Sequence, residues 1–208
     1  MSYAVKEIFL TLQGEGVQAG RRALFIRFAG CNLWTGREQD RAEAQCRFCD
    51  TDFVGMDGTD GGRYAADELV AKASMLWGDA PHRFVVLTGG EPLLQVDAPL
   101  LAALKAAGFE IAVESNGTVA APEGIDWLCI SPKAGTEIVQ RSGDEVKVVW
   151  PQDGLDMDAI AGWDFRHRLI QPMDNPARAA NEQGAIAFVL DHPEWRLSLQ
   201  AHKALGLR

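Results

Sequence analysis

Three of the four cysteines, Cys31, Cys46 and Cys49, fall within one short stretch. Cys46-Arg47-Phe48-Cys49 sets two thiols two residues apart, close enough to reach one metal centre. Cys31, at the end of an apolar run, can supply a third. A structural zinc site wants four protein ligands, and His82, His167, His192 and His202 all lie far from these thiols in sequence. Three clustered thiols without a fourth also suit a [4Fe–4S] cube. Ordinary ferredoxin-type sites use four cysteines, so a missing one leaves an iron open to a small ligand. Spacing alone does not separate iron–sulfur from zinc. Cys129 stands apart in the apolar run Trp127-Leu128-Cys129-Ile130 and is expected in the core, since free cysteine is among the most buried residue types.

Other residues could do chemistry at the ends of apolar runs. Thr88-Gly89-Gly90-Glu91 reads at its plainest as a turn into a helix, but glycines also let bare backbone approach a ligand closely. Thr51 offers two hard oxygen donors, or else a turn or cap. Arg27 falls on the opposite face from Leu24 and Ile26. An isolated arginine in an apolar strand ordinarily buries its stem and keeps its head in water, but its guanidinium fork also suits a carboxylate.

The elements that must position these residues follow from periodicity. Strands are predicted at 3–12, 22–29, 83–88, 109–114, 127–130, 146–150 and 168–171. Helices are predicted at 65–77, 97–107, 156–162 and 176–190, the last with Pro176 in its first turn. Residues 32–45 read as a polar, irregular, exposed insertion, and 55–62 as a glycine- and aspartate-rich turn region. Strands alternating with helices predict an α/β fold with a mainly parallel sheet. The polar and glycine-rich signals cluster just after strands, where parallel α/β folds build their sites. A single domain over 1–208 is expected, with its insertion around 32–45.

Composition narrows the class. The 208 residues are 47% hydrophobic and carry a formal charge of −9, a globular balance that disfavours contact with a phosphate backbone or an anionic membrane. The longest purely apolar run, 185–190, is far short of the ~20 residues that span a bilayer. The N-terminal MSYAVKEIFL has no basic-then-apolar pattern, so no signal peptide is expected. A cytoplasmic protein is the expectation, and there thiols stay reduced.

The cysteine pattern resembles the radical S-adenosylmethionine (SAM) superfamily, whose signature has an aromatic before the last cysteine, as Phe48 stands here. The superfamily usually places three residues between the first two cysteines, whereas 14 separate Cys31 and Cys46. One family with such an expanded loop is 7-carboxy-7-deazaguanine synthase of the queuosine pathway. Further segments resemble it in order along nearly the whole chain: Leu12-Gln13-Gly14-Glu15-Gly16, Arg27-Phe28-Ala29-Gly30-Cys31, Cys49-Asp50-Thr51, Leu87-Thr88-Gly89-Gly90-Glu91-Pro92, Glu114-Ser115-Asn116-Gly117-Thr118, Ser131-Pro132-Lys133, Gln171-Pro172-Met173-Asp174 and His202-Lys203.

The resemblance implies a fold and a set of roles. The fold would be a truncated parallel (β/α) barrel, since a complete one usually needs ~250 residues. Cys31, Cys46 and Cys49 would hold a [4Fe–4S] cluster, and Thr51 would ligate Mg²⁺. Phe48, Cys49, Asp50, Gly90, Ser131, Pro132, Lys133, Gln171, Pro172, Met173 and Asp174 would contact SAM. Leu12, Gln13, Gly14, Arg27, Thr88, His202 and the terminal Arg208 would contact the substrate, 6-carboxy-5,6,7,8-tetrahydropterin, with Arg27 on its carboxylate. The reaction implied is a lyase-type ring contraction with loss of ammonia. Its implied partners are an electron donor such as a flavodoxin and a second copy in a homodimer, with no nucleic acid or membrane. A radical-SAM activase of a partner protein would share the cluster and the Gly-Gly-Glu segment, but would not need Arg27. A zinc-stabilised binding module is the other alternative.

Overall fold

The alternation in Leu24-Phe25-Ile26-Arg27-Phe28 sets the plan of the molecule. A computed structural model describes residues 2–207. Its strands are β1 (Tyr3–Leu12), β2 (Arg22–Phe28), β3 (Gly62–Tyr64), β4 (Phe84–Gly89), β5 (Glu110–Ser115), β6 (Trp127–Ile130), β7 (Ser142–Trp150), β8 (Asp164–Pro172) and β9 (Arg196–Leu197). The helices are α1 (Ala66–Trp77), α2 (Ala98–Ala106), α3 (Met157–Ala161), α4 (Arg178–Asp191) and α5 (Ala201–Leu205). All the strands join one sheet in the order β3-β1-β2-β4-β5-β6-β7-β8-β9. β2 and β4 through β9 run parallel, while β1 is antiparallel to both neighbours. The two ends, β3 and β9, do not pair, so the sheet is a parallel barrel cut short.

On β2, Leu24, Ile26 and Phe28 are buried in the main core, and Phe25 and Arg27 line a cleft on the other face. On β7, Val146 and Val148 join the core while Lys147 and Val149 reach the cleft. On β8, Ile170 and Gln171 divide the same way. A period of two thus gives the sheet an apolar outer face and a functional inner one. Helices cover the outer face. On α1, Leu69, Ala73 and Trp77 fall four residues apart and are all buried, the spacing that makes one helical stripe. Gly78, at φ +74°, follows α1, a conformation suited to ending a helix. On α2, Leu100, Leu101 and Leu104 are buried, and the Asp97 side chain accepts the Leu100 N–H as cap.

The structure departs from expectation in several places. β7 and β8 start earlier than their apolar stretches, because Ser142 pairs with Asp164 and Glu145 with both Cys129 and His167. Neighbouring strands, not hydrophobicity, extend them. α4 starts at Arg178, leaving Pro176 ahead of it. Asn175 Oδ1 accepts the Ala177 N–H at 2.8 Å and the Asn181 amide at 3.0 Å, and this local turn delays the helix. Residues 32–45 are not wholly exposed or irregular: Glu38–Glu43 forms a 3₁₀ helix, and Leu33, Trp34 and Ala44 are buried. Trp34, Ala44 and Phe53 form a small second core against which Cys31 and Cys49 pack. Among the described residues, no helix is long and apolar enough to cross a membrane.

Candidate active site

Two glycines join the strand ends that begin the site. A Cβ on Gly90 would lie 2.3 Å from the Gly30 carbonyl oxygen and 2.6 Å from the Cys31 Cβ. A Cβ on Gly89 would lie 2.4 Å from the Phe28 carbonyl oxygen. Only bare backbone fits at either place, so the turn after β4 lies directly on the turn that presents Cys31. Glu91, fully buried, fastens it: its N–H donates to the Gly30 carbonyl at 3.0 Å, and its carboxylate accepts the N–H groups of Leu93 at 2.9 Å and Asn116 at 2.7 Å. One residue, through its backbone N–H and its carboxylate, thereby holds the ends of β2, β4 and β5 together. Burial raises its pKa, against the pull of these bonds.

The strand ends enclose a cleft with two lobes. The first, about 1010 Å³ counting its open mouth, is lined by all three clustered cysteines, by Phe48, Asp50 and Thr51, and by strand-end residues including Thr88, Gly90, Ser131, Lys133 and Gln171 to Asp174. The second, about 920 Å³ on the same reckoning, is lined by Leu12 to Glu15, Glu7, Phe9, Phe25, Arg27, His202 and Lys203. Glu15, Asp50, Thr51, Thr88, Glu114 and Gln200 border both lobes.

The wall between the lobes is built on a buried ammonium. Lys147, its side chain 4% exposed, meets Glu15 at 2.8 Å and Glu114 at 3.0 Å. Gln13 donates to Glu114 at 3.2 Å, and Gln200 to Glu15 at 3.0 Å. A third carboxylate, Glu145, lies one turn of the pleat away, accepting the Val17 N–H at 2.8 Å and the Cys129 thiol at 3.4 Å. Burial works to raise the Glu15 pKa, but Lys147 and the amides bring it down to about 2. Burial wins at Glu114, aided by Glu145 and Glu15, and its pKa is raised. Lys147 stays charged: the surrounding acids outweigh the burial that would discharge it. Cys129 is buried as expected, but against this ionic group, where burial and the acids keep it a thiol.

Arg27 and α5 shape the second lobe. Arg27 pairs across strands with Glu7, its Nε donating to Glu7 Oε1 at 2.9 Å, and its guanidinium lies 5.9 Å from the Phe9 ring centroid. It is 20% exposed along its side chain, a cleft residue rather than a surface one. α5 closes the far side. The Ala201 N–H donates to the Gly14 carbonyl at 2.9 Å, and a Cβ on Gly14 would meet His202 Nδ1 at 2.3 Å. Lys203 ties α5 to Asp50 at 2.5 Å and Asp174 at 2.7 Å.

The three thiols sit around the wall of the first lobe and, among the described residues, do not converge on a single ion position. Three thiols lining one cavity suit a multi-iron cube, in which each binds its own iron. The Cys46 thiol, hydrogen-bonded to Cys49, lowers the Cys49 pKa to about 6 and is itself raised. Burial raises Cys31. Lys133 lies near these thiols, its Nζ 2.6 Å from the Ser131 carbonyl, 2.8 Å from its Oγ and 5.9 Å from the Phe48 ring. The donor set and the cavity fit a [4Fe–4S] cluster with a small ligand beside it.

The family model of the radical SAM superfamily matches residues 40–147. A 7-carboxy-7-deazaguanine synthase from Caulobacter vibrioides is 59% identical, and one from Bradyrhizobium diazoefficiens 60%, each match covering 100% of both chains. The chain belongs to the 7-carboxy-7-deazaguanine synthase family. It is thereby a radical SAM lyase, and the family implies a [4Fe–4S] cluster and SAM. The fold agrees: the crystal structure of QueE from Escherichia coli superposes with a TM-score of 0.73 at 26% identity, covering 97% of this chain and 95% of that one.

The structure brings nearly all the expected residues of this family member to the cleft. Pro132 is the exception; it is buried behind the wall, its carbonyl accepting from Gln152 at 3.4 Å. Arg208 lies outside the described residues. Sequence reasoning missed Glu7, Lys147 and Gln200 as site residues, and named Glu15 and Glu114 only within longer segments, with no role of their own. Lys147 carried a signal: a lone charge inside Val146-Lys147-Val148-Val149. Glu7 and Gln200 carried none, since only pairing and the fold of α5 bring them in.

Proposed function

We propose that this chain converts free 6-carboxy-5,6,7,8-tetrahydropterin to 7-carboxy-7-deazaguanine, contracting the pterin's reduced ring and releasing ammonia. The observation that carries the reading is the two-lobed cleft: a three-thiol lobe and an arginine lobe that share Thr51, Thr88 and Glu114. Cys31, Cys46 and Cys49 would hold the cluster, and the first lobe, from Phe48 and Gly90 to Lys133 and Asp174, would hold SAM. Cluster and SAM together, when bound, supply hydrogen-atom abstraction by a carbon radical.

The chain's own residues position and shield. Arg27 takes the substrate carboxylate with its terminal nitrogens, while Glu7 holds its Nε. Thr51 would supply one hard oxygen to a bound Mg²⁺, an ion that is normally held by few protein ligands. Gln13, Gly14 and Thr88 fix the pterin edge. Lys147 locks Glu15 and Glu114 at the boundary of the lobes. α5 covers the second lobe and keeps water out. The protein acts in the cytoplasm as one catalytic domain with an electron donor such as a flavodoxin. A homodimer fits the exposed leucines Leu190, Leu199 and Leu205 of the C-terminal segment.

Anaerobically purified protein, analysed for iron, sulfide and zinc and then given reductant and SAM, tests the reading. The expected result is a brown, iron- and sulfide-containing protein whose SAM cleavage rises when the free carboxypterin is added without any partner protein. A colourless protein with zinc and no iron would overturn it, as would SAM cleavage indifferent to the pterin.

A further inference from the structure

The expanded cluster loop has one residue at its centre. Arg41 closes the 3₁₀ helix Glu38–Glu43 and is held on three sides. Its Nε donates to both oxygens of Glu38 at 2.8 and 2.9 Å. Its Nη1 donates to the carbonyls of Arg47 at 2.8 Å and Cys49 at 3.0 Å. Its guanidinium carbon lies 4.1 Å from the centre of the Trp34 ring. Trp34 packs edge-on against Phe53 at 5.7 Å, and Cys31 and Cys49 pack on the same small core.

We propose that Arg41 is the positioning residue of the cluster: a clamp from the insertion onto the turn that carries Cys46 and Cys49. This rests on the assignment of the three thiols to a [4Fe–4S] cluster. A long segment between ligands has more chain entropy to lose than a short one, so the 14 residues between Cys31 and Cys46 need a fixed point of their own. Arg41 provides it. Two carbonyls of the Cys46–Cys49 turn are tied to one nitrogen, Nη1, of a rigid planar guanidinium whose Nε is anchored on Glu38. Trp34 fixes the plane of that guanidinium and at the same time carries Cys31 and Cys49 on its small core, so all three ligands refer to one structure. The placement has an electrical consequence. Net charge and hydrogen bonding around a cluster set its potential. A fixed cation on the ligand turn favours the reduced, more negative cluster and makes reduction easier.

The test compares the parent protein with Arg41→Met, Arg41→Lys and Glu38→Gln. In R41M, cluster release to a chelator should be roughly 10-fold faster, the usual size of effect for a residue that supports metal ligands. Its midpoint potential should move to a more negative value, with R41K intermediate. In the apo-protein, alkylation of the buried Cys46 should be faster in R41M, a readout that needs no cluster. E38Q, which keeps the cation and loosens its anchor, should speed release less than R41M. Parent-like release, potential and alkylation in R41M would overturn the proposal. Should R41M fail to fold, as far-UV circular dichroism would show, parent-like release in E38Q would overturn it. A parent protein that takes up no iron would instead remove the cluster assignment beneath it.

Discussion

At the scale of single residues, the site is a set of charges held apart from water. Arg27 is fixed by Glu7 before any ligand arrives. Arg27→Ala should weaken carboxypterin binding by roughly 10- to 100-fold, the worth of a charge-assisted pair, and leave SAM binding near the parent value; calorimetry with each ligand checks this. Lys147→Met should lower stability by about 3 kcal/mol, the low end for breaking a buried pair, because it strands two carboxylates that are one-fifth exposed. The pH dependence has a definite sign. Glu15 is depressed to about 2 from an ordinary 4.5, so in the parent its stabilisation holds above pH 4.5 and fades as pH falls toward 2. Without Lys147, burial raises these carboxylates instead, and the variant loses stability as pH rises. The Tm gap between parent and variant should therefore be widest near pH 7 and shrink toward pH 4.5; a gap independent of pH would contradict the network. At this scale the sequence was a good guide to ligand types but not to their supports. The three cysteines, Arg27 and Thr51 could be picked out by type and spacing. Glu7 could not, because its role exists only through cross-strand register.

At the scale of elements, close backbone approaches and one short helix complete the site. Gly90→Ala would drive a Cβ into the Gly30 carbonyl, backbone that cannot rotate away, and overpacking of this kind costs about 1–3 kcal/mol. Reduced iron uptake together with a lowered Tm is expected, since the displaced turn carries Cys31. Removing residues 200–208 deletes the wall formed by α5 and with it Gln200, His202 and Lys203. The truncated protein should keep its cluster colour and lose carboxypterin binding; retained turnover would show that α5 is dispensable. The core strands were legible because apolar alternation marks them, and 127–130 matched to the residue. β3, β9 and α5 were not. They are short, and tertiary contacts specify them: the two β9 residues pair with Leu169 and Ile170, and α5 hangs on Gly14 and Asp50.

At the scale of the whole molecule, a single sheet faces two ways. Its outer face is a core under helices, and its inner face is an ion-lined cleft at the strand ends. The chain stops short of closing a barrel and uses α5 to cover part of the opening. The charge of −9 agrees with a small-molecule substrate, and an RNA mobility-shift assay at physiological salt is expected to show no complex. What unites the molecule is a cleft that joins radical SAM chemistry to the carboxypterin. An anaerobic reaction of the purified protein with reductant, SAM, Mg²⁺ and 6-carboxy-5,6,7,8-tetrahydropterin, followed by mass spectrometry, tests it most directly. The expected products are 7-carboxy-7-deazaguanine and ammonia in equal amounts, without any partner protein. SAM cleavage that leaves the pterin intact would contradict it.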